Sequence, residues 1–297
     1  MFRRAIRSPL GATSAVIIAI VVVLSALGPV IAPYDPLAQD AAHILASPSA
    51  AHWLGTDYVG RDVLSRLLAG SPLSLLSAVE AVAIAFALGV IPGLLSVYLG
   101  RVFEWISLRV IDALITLPFL VFAIAMTALL GNGLQQAMFA VGILIAPAFY
   151  RVTRAAALSA AVSQYVEAAR LAGASPLWVL RTHLWSKVAP SVAVTTANSM
   201  AAGLVIVSSL TFLGIGVQPP APTWGGILAD DLGYLFQQPF GPLYPTIIIM
   251  VTVGAFNGFA DALRDASGIA GHVRLLGRRR SRAVRTAAHP ALEVTNG

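Results

Sequence analysis

The side chains that carry out enzymatic chemistry are scarce in this sequence and poorly grouped for it. Its 297 residues include no cysteine, which removes thiolate nucleophiles, disulfides and Cys-based metal sites. The five histidines, at positions 43, 52, 183, 272 and 289, are scattered. His52 with Asp57 and Asp62 is the nearest thing to a metal cluster, and no ligand spacing supports it. No nucleophile stands beside a base, and no acid pair is recognisable. Nothing has the G-x-x-x-x-G-K-[ST] spacing that cradles nucleotide phosphates. The telling pattern is a hydrophilic stretch, Glu167 to Pro190, reading EAARLAGASPLWVLRTHLWSKVAP. Ser163 to Ala172 reads as one helix, Gly173 as its left-handed cap, and Ser175 followed by Pro176 as the start of another. Ala168 and Ala169 allow close approach of a partner surface, Gly173 permits the bend, and Glu167 offers a fixed charge. This is the chemistry of docking. A solvated Glu167 paired with Arg170, with Gly173 as a plain cap, fits the same residues.

The elements that would carry this stretch are membrane helices. Hydrophobic residues make up 58% of the chain and charged residues 11%, with a mean hydropathy of +0.82, far from soluble averages near 25% charged. Arg3, Arg4 and Arg7 precede an apolar run over about 12–31, read as a first span because it is longer than a signal-peptide core. Five further spans are expected over about 73–99, 108–130, 134–150, 188–213 and 243–263. Within the polar segment 32–73, Val63, Leu64, Leu67 and Leu68 share a helical face, which predicts an interfacial amphipathic helix with Arg61 and Arg66 in water. Glu80 is expected within about six residues of the outer end of the second span, where a charge is tolerated. Gly89 and Gly93 permit close helix contact or accommodate a kink at Pro92. Arg101 and Glu104 fall in a short turn, Arg109 and Asp112 at i,i+3 neutralise each other, and Pro118 kinks the third span. After the fifth span, Pro219, Pro220 and Pro222 forbid helix, and Trp224 reads as an interface anchor. Six spans put both termini on one side. All of the 19 Lys and Arg except Arg61 and Arg66 then fall on the cytoplasmic side. The basic tail 271–297 faces anionic lipid more simply than nucleic acid.

Ordered motifs along the chain carry a family resemblance. The Glu167-Ala168-Ala169 triplet, with Gly173, Ala174, His183 and Pro190, resembles the cytoplasmic coupling loop of ABC-importer permeases. The run from Leu54 through Gly60-Arg61-Asp62 to Arg66, and the FLGxGxQPPxPxWG-like run from Phe212 to Gly225, resemble dipeptide and oligopeptide permeases. The ending Asn257, Asp261, Leu263, Arg264, Asp265 is similar to theirs. Pro72 stands where relatives usually have Arg, Arg101 and Glu104 replace a Gly and an Asp, and Trp185 stands where Pro is common, so the exit from the second coupling helix is open to difference.

The resemblance implies an all-α membrane protein of six transmembrane helices with the type I importer permease fold. It divides the chain into a cytoplasmic N-terminus (1–11), a transmembrane domain (12–270), external segments (32–73 and 214–242), a coupling loop (151–187) and the tail. It further implies a non-catalytic subunit of the cell membrane. The partners would be a second permease subunit, two ATPase subunits or domains that bind the ATP, and an external substrate-binding protein. The chain itself would hold no cofactor and no metal. Glu167, Ala168, Ala169, Gly173, Ala174, His183 and Pro190 would then couple to the ATPases. Glu80, Asn198 and Asn257 are polar candidates for the solute path, with helix packing the plainer role for both asparagines. Short peptides are the expected solute, and nickel or another small solute is the alternative within the family. An ion-coupled secondary transporter would require repeats and mid-membrane acids that are not evident.

Overall fold

The computed structural model describes residues 1–268; the basic tail lies outside them. A short helix α1 (Phe2–Ala5) leads to α2 (Pro9–Ile31), started by Ser8, whose Oγ accepts from Gly11 N at 3.1 Å, with Pro9 in the first turn. The next long helix, α3, runs Val63–Leu95 from an Asp62 cap that accepts from Ser65 N at 2.8 Å. Its 33 residues span about 50 Å, well beyond the hydrocarbon thickness, so its first turns project into the polar layer. The expected interfacial helix over 63–68 is therefore the opening of a membrane span. Glu80 is midway along α3, which begins ten residues before the expected span.

The third expected span is broken instead of kinked. α4 (Gly100–Thr116) and α5 (Phe119–Leu130) meet at 101°. Leu117, directly before Pro118, is extended at φ −73°, ψ 130°, as the proline ring demands. Arg101 and Glu104 belong to α4, not to a turn. α6 (Leu134–Ala161) continues past the end expected at Tyr150. Along it Arg154 pairs with Glu104, and Arg151 lies 3.5 Å from Asp112, closer than Arg109 at 3.9 Å.

Helix direction settles how often the chain crosses. Gly142 of α6 meets Ala81 and Ile84 of α3, Gly89 meets Ala146 and Phe149, and Gly93 meets Tyr150 and Thr153. The numbers rise together, so α3 and α6 are parallel. The bent pair between them must return the chain through the full depth. Contacts along it agree: the Ser107 and Tyr150 hydroxyls are 2.7 Å apart in the second half of α6, with Glu104 on Arg154 further along, and Asn132, just before the start of α6, accepts from Gly216 N at 3.0 Å. With α9 (Trp185–Phe212) and α11 (Leu243–Ala266), the described residues make six crossings, one of them broken.

α9 runs against α3, with Gly203 facing Ala78 and Val82. α11 runs against α2, with Gly258 on Leu10 and Ser14. Ala5, Val194, Ala197, Ala260 and Leu263 form one apolar cluster, which places residues 1 and 268 at the same end. The opposite end is closed by segments 32–62 and 213–242. Gln238 donates from Nε2 to the carbonyls of Ala46 and Thr56, both at 3.1 Å, and Tyr58 stacks on Tyr234 at 5.2 Å. The run 216–226, expected to be extended, is non-helical through Thr223, but its last three residues open a helix unforeseen from sequence, α10 (Trp224–Leu232). Trp224 is fully buried and donates from Nε1 to Leu67 O and Ser71 Oγ, each at 3.2 Å. It is a core residue and not an interface anchor, because α10 folds back onto α3 and α9.

Candidate functional site

At the end that gathers both limits of the described chain, α6 gives way to α7 (Gln164–Leu171) and α8 (Pro176–Val179). Gly173, at φ +82°, ends α7: Ala174 N donates to Ala169 O at 3.0 Å, the six-to-one bond of a Schellman cap. Ser175 then starts α8, accepting from Trp178 N at its Oγ (3.3 Å). Three buried side chains, Val166, Val179 and Leu184, anchor this elbow to the core beneath it. The second helix does not break where Trp185 replaces the usual proline. Leu180–Leu184 form a π turn that leads straight into α9, because Trp185 keeps the N–H that proline lacks.

The elbow leaves an open groove of about 420 Å³, lined by Ala169, Ala172, Gly173, Ala174, Ser175 and Trp178. A Cβ placed on Gly173 would meet nothing within 4 Å. Small residues thus face outward while Leu171 stands 85% exposed beside them, a surface that burial against another protein would satisfy. Glu167 and Ala168 are exposed on α7, and Glu167 has no ion pair among the described side chains. The Arg170 side chain lies outside the described residues. His183 braces the elbow from within, its ring 5.1 Å from Trp178 and 5.8 Å from Tyr165. Pro190 is half-buried inside α9, apart from the groove. Of the pathway candidates, Glu80 is half-buried on α3, Asn198 half-buried on α9 and Asn257 exposed on α11, and no hydrogen bond joins them. No group of three or more His, Asp or Glu able to hold a metal occurs among the described residues.

The outer end carries a site that sequence reasoning missed. Arg61 and Arg66 are not in water but 5% exposed, and they share Asp57: Arg61 Nε donates to its Oδ2 at 2.7 Å, and Arg66 Nη1 donates to the same oxygen. Asp230, from α10, completes the cluster at 3.3 Å from Arg66 Nη2. Its neighbour Asp231 is buried with Oδ2 unpartnered. Desolvation, then the nearby Asp230 and Asp57, push the Asp231 carboxyl up to about 7. The Asp57–Arg61 spacing was readable as a local pair. Asp230 is 164 residues from Arg66, and nothing in the sequence links them.

Residues 85–267 match the family described as binding-protein-dependent transport system inner membrane component. Residues 1–48 match the N-terminal transmembrane domain of oligopeptide transport permease C. The chain belongs to this permease family. It is 37% identical over 258 residues to a probable D,D-dipeptide transport system permease protein, DdpC, of Escherichia coli K12, covering 87% of each chain. It is 35% identical over 266 residues to the glutathione transport system permease protein GsiD of Escherichia coli O1:K1, covering 89% of this chain and 88% of that one. The inward-facing MetNI methionine ABC transporter shares the fold, with a TM-score of 0.56 at 19% identity over 69% of this chain and 96% of the other. The permease is thus a multi-pass membrane subunit of an ABC importer with the type I fold. The family assignment displaces the secondary-transporter alternative.

Proposed function

We propose that this permease, beside a second permease subunit, forms the path for short peptides, and that its α7–α8 elbow receives a cytoplasmic ATPase subunit that binds the ATP. The exposed elbow carries the reading: small side chains around a turn that only glycine adopts freely, held rigidly by three buried anchors. Movement of the ATPases would shift α7 and α8, and the continuous π turn would pass that shift into α9. Glu167, Ala168, Ala169, Gly173 and Ala174 form the contact, with His183 as their brace. Pro190 acts, if at all, through the α9 helix.

The elbow end is the cytoplasmic one. Among the described residues it holds Arg3, Arg4, Arg7, Arg101, Arg109, Arg151, Arg154, Arg181, Lys187 and Arg264, whereas the other end has only Arg61 and Arg66, both neutralised by acids. An external binding protein would deliver solute to that other end. The relatives' names, dipeptide and glutathione permeases, support a peptide solute over nickel. The test is uptake of labelled short peptides into vesicles holding the purified complex and binding protein. Uptake that needs ATP and ignores ion gradients is expected; uptake of nickel but of no peptide would reject the solute class.

A further inference from the structure

The outer charge cluster is not closed on itself. Asp57 is held tightly by both arginines and is 4% exposed. Asp230 is held loosely: its Oδ2 is 3.3 Å from Arg66 Nη2, 3.7 Å from Arg61 Nη2, and its side chain is 30% exposed. Two guanidinium nitrogens, Arg61 Nη2 and Arg66 Nε, are buried without a hydrogen-bond partner, an arrangement that costs free energy until an acceptor arrives. Both side chains line a cavity of about 120 Å³, room for about four waters or one carboxylate. Its other walls include Phe212, Val217, Pro219 and Pro220. A donor-rich wall facing an apolar one suits a carboxylate carried on a small organic residue.

We propose that this cavity receives the C-terminal carboxylate of the incoming peptide at the outer end of the permease. Arg61 and Arg66 are its ligands, and Asp230 is a resident acid that the arriving carboxylate displaces. Asp57 stays in place and holds the two guanidiniums in register. The inference rests on the peptide-import reading.

The test uses the assembled complex in lipid nanodiscs without the external binding protein, with dialanine and dialanine amide as probes and binding read by saturation-transfer NMR. The amide is expected to bind about tenfold or more weakly, having lost a charge-assisted pair. Asp230→Asn removes the resident competitor and should tighten dialanine binding. Ala229→Phe, at a wall residue with no part in the ion pairs, should fill the cavity and abolish the difference between acid and amide. Equal binding of the two probes, or a difference that survives Ala229→Phe, overturns the site. A preference seen only with the binding protein present also overturns it and assigns the cluster to protein docking. ATP-driven dialanine uptake is followed in parallel with binding protein present. Uptake without discrimination by the permease refutes this site alone, whereas failure of every short peptide to enter refutes the import reading.

Discussion

The two ends of this permease solve opposite problems. The inner elbow exposes small side chains and one acid without an ion pair among the described side chains, over three buried anchors, and its shape comes from residues adjacent in sequence. The outer cap buries two arginines and three aspartates, and its shape comes from pairs up to 192 residues apart. A surface made to receive a partner keeps its groups uncommitted. A cap that must hold two distant segments together over the pathway commits nearly all of them.

Substitutions should separate the two ends. The largest loss of stability is expected from Asp57→Ala, which strips both buried guanidiniums of their principal acceptor. Breaking a buried pair in this way costs about 3–5 kcal/mol, read as a lowered unfolding midpoint of the detergent-solubilised complex. If Asp57→Ala melts like the parent, the cap is not the clamp described. Gly173→Trp should do the reverse. The built Cβ meets open space, so only the left-handed backbone is strained, at about 1–2 kcal/mol, while the indole blocks the groove and uptake falls about tenfold or more. Normal uptake by this variant would remove the elbow from the mechanism.

How far each end was legible follows from the same contrast. The elbow could be read because Gly173, Ser175 and Pro176 act on their own backbone. Its exit was left open, since whether Trp185 bends the chain depends on packing. Six crossings followed from apolar runs, yet the 101° break at Pro118 did not, because hydropathy counts residues and ignores direction. Arg61, Arg66 and Trp224 were misplaced for one reason. Polar and amphipathic residues next to a membrane run were assigned to water or interface, and the partners that bury them, Asp230 and α3, arrive from elsewhere in the chain.

A smaller effect tests the cap by pH. The Asp231 carboxyl is raised from 3.8 to about 7 in the folded state by burial, so between those values the folded state binds more protons than the unfolded. Stability should therefore fall as pH rises through that window, by up to about 1.4 kcal/mol per unit, and level off above it. Asp231→Asn should flatten the slope of unfolding midpoint against pH; an unchanged slope would place the titration elsewhere. The smallest effect is expected from Trp224→Phe, which keeps an aromatic ring but loses the donor to Leu67 O and Ser71 Oγ and leaves a small cavity, at about 1–3 kcal/mol.

The central claim is that the elbow is the ATPase contact, and the absence of cysteine from the chain makes it directly measurable. Ala172→Cys places a single thiol in the groove of the assembled complex, where a short bifunctional reagent reports what lies against it. The account predicts capture of the ATPase subunit, lost when Gly173→Trp is added. Capture of lipid-facing neighbours only, or of no protein while the complex still imports peptide, would contradict it.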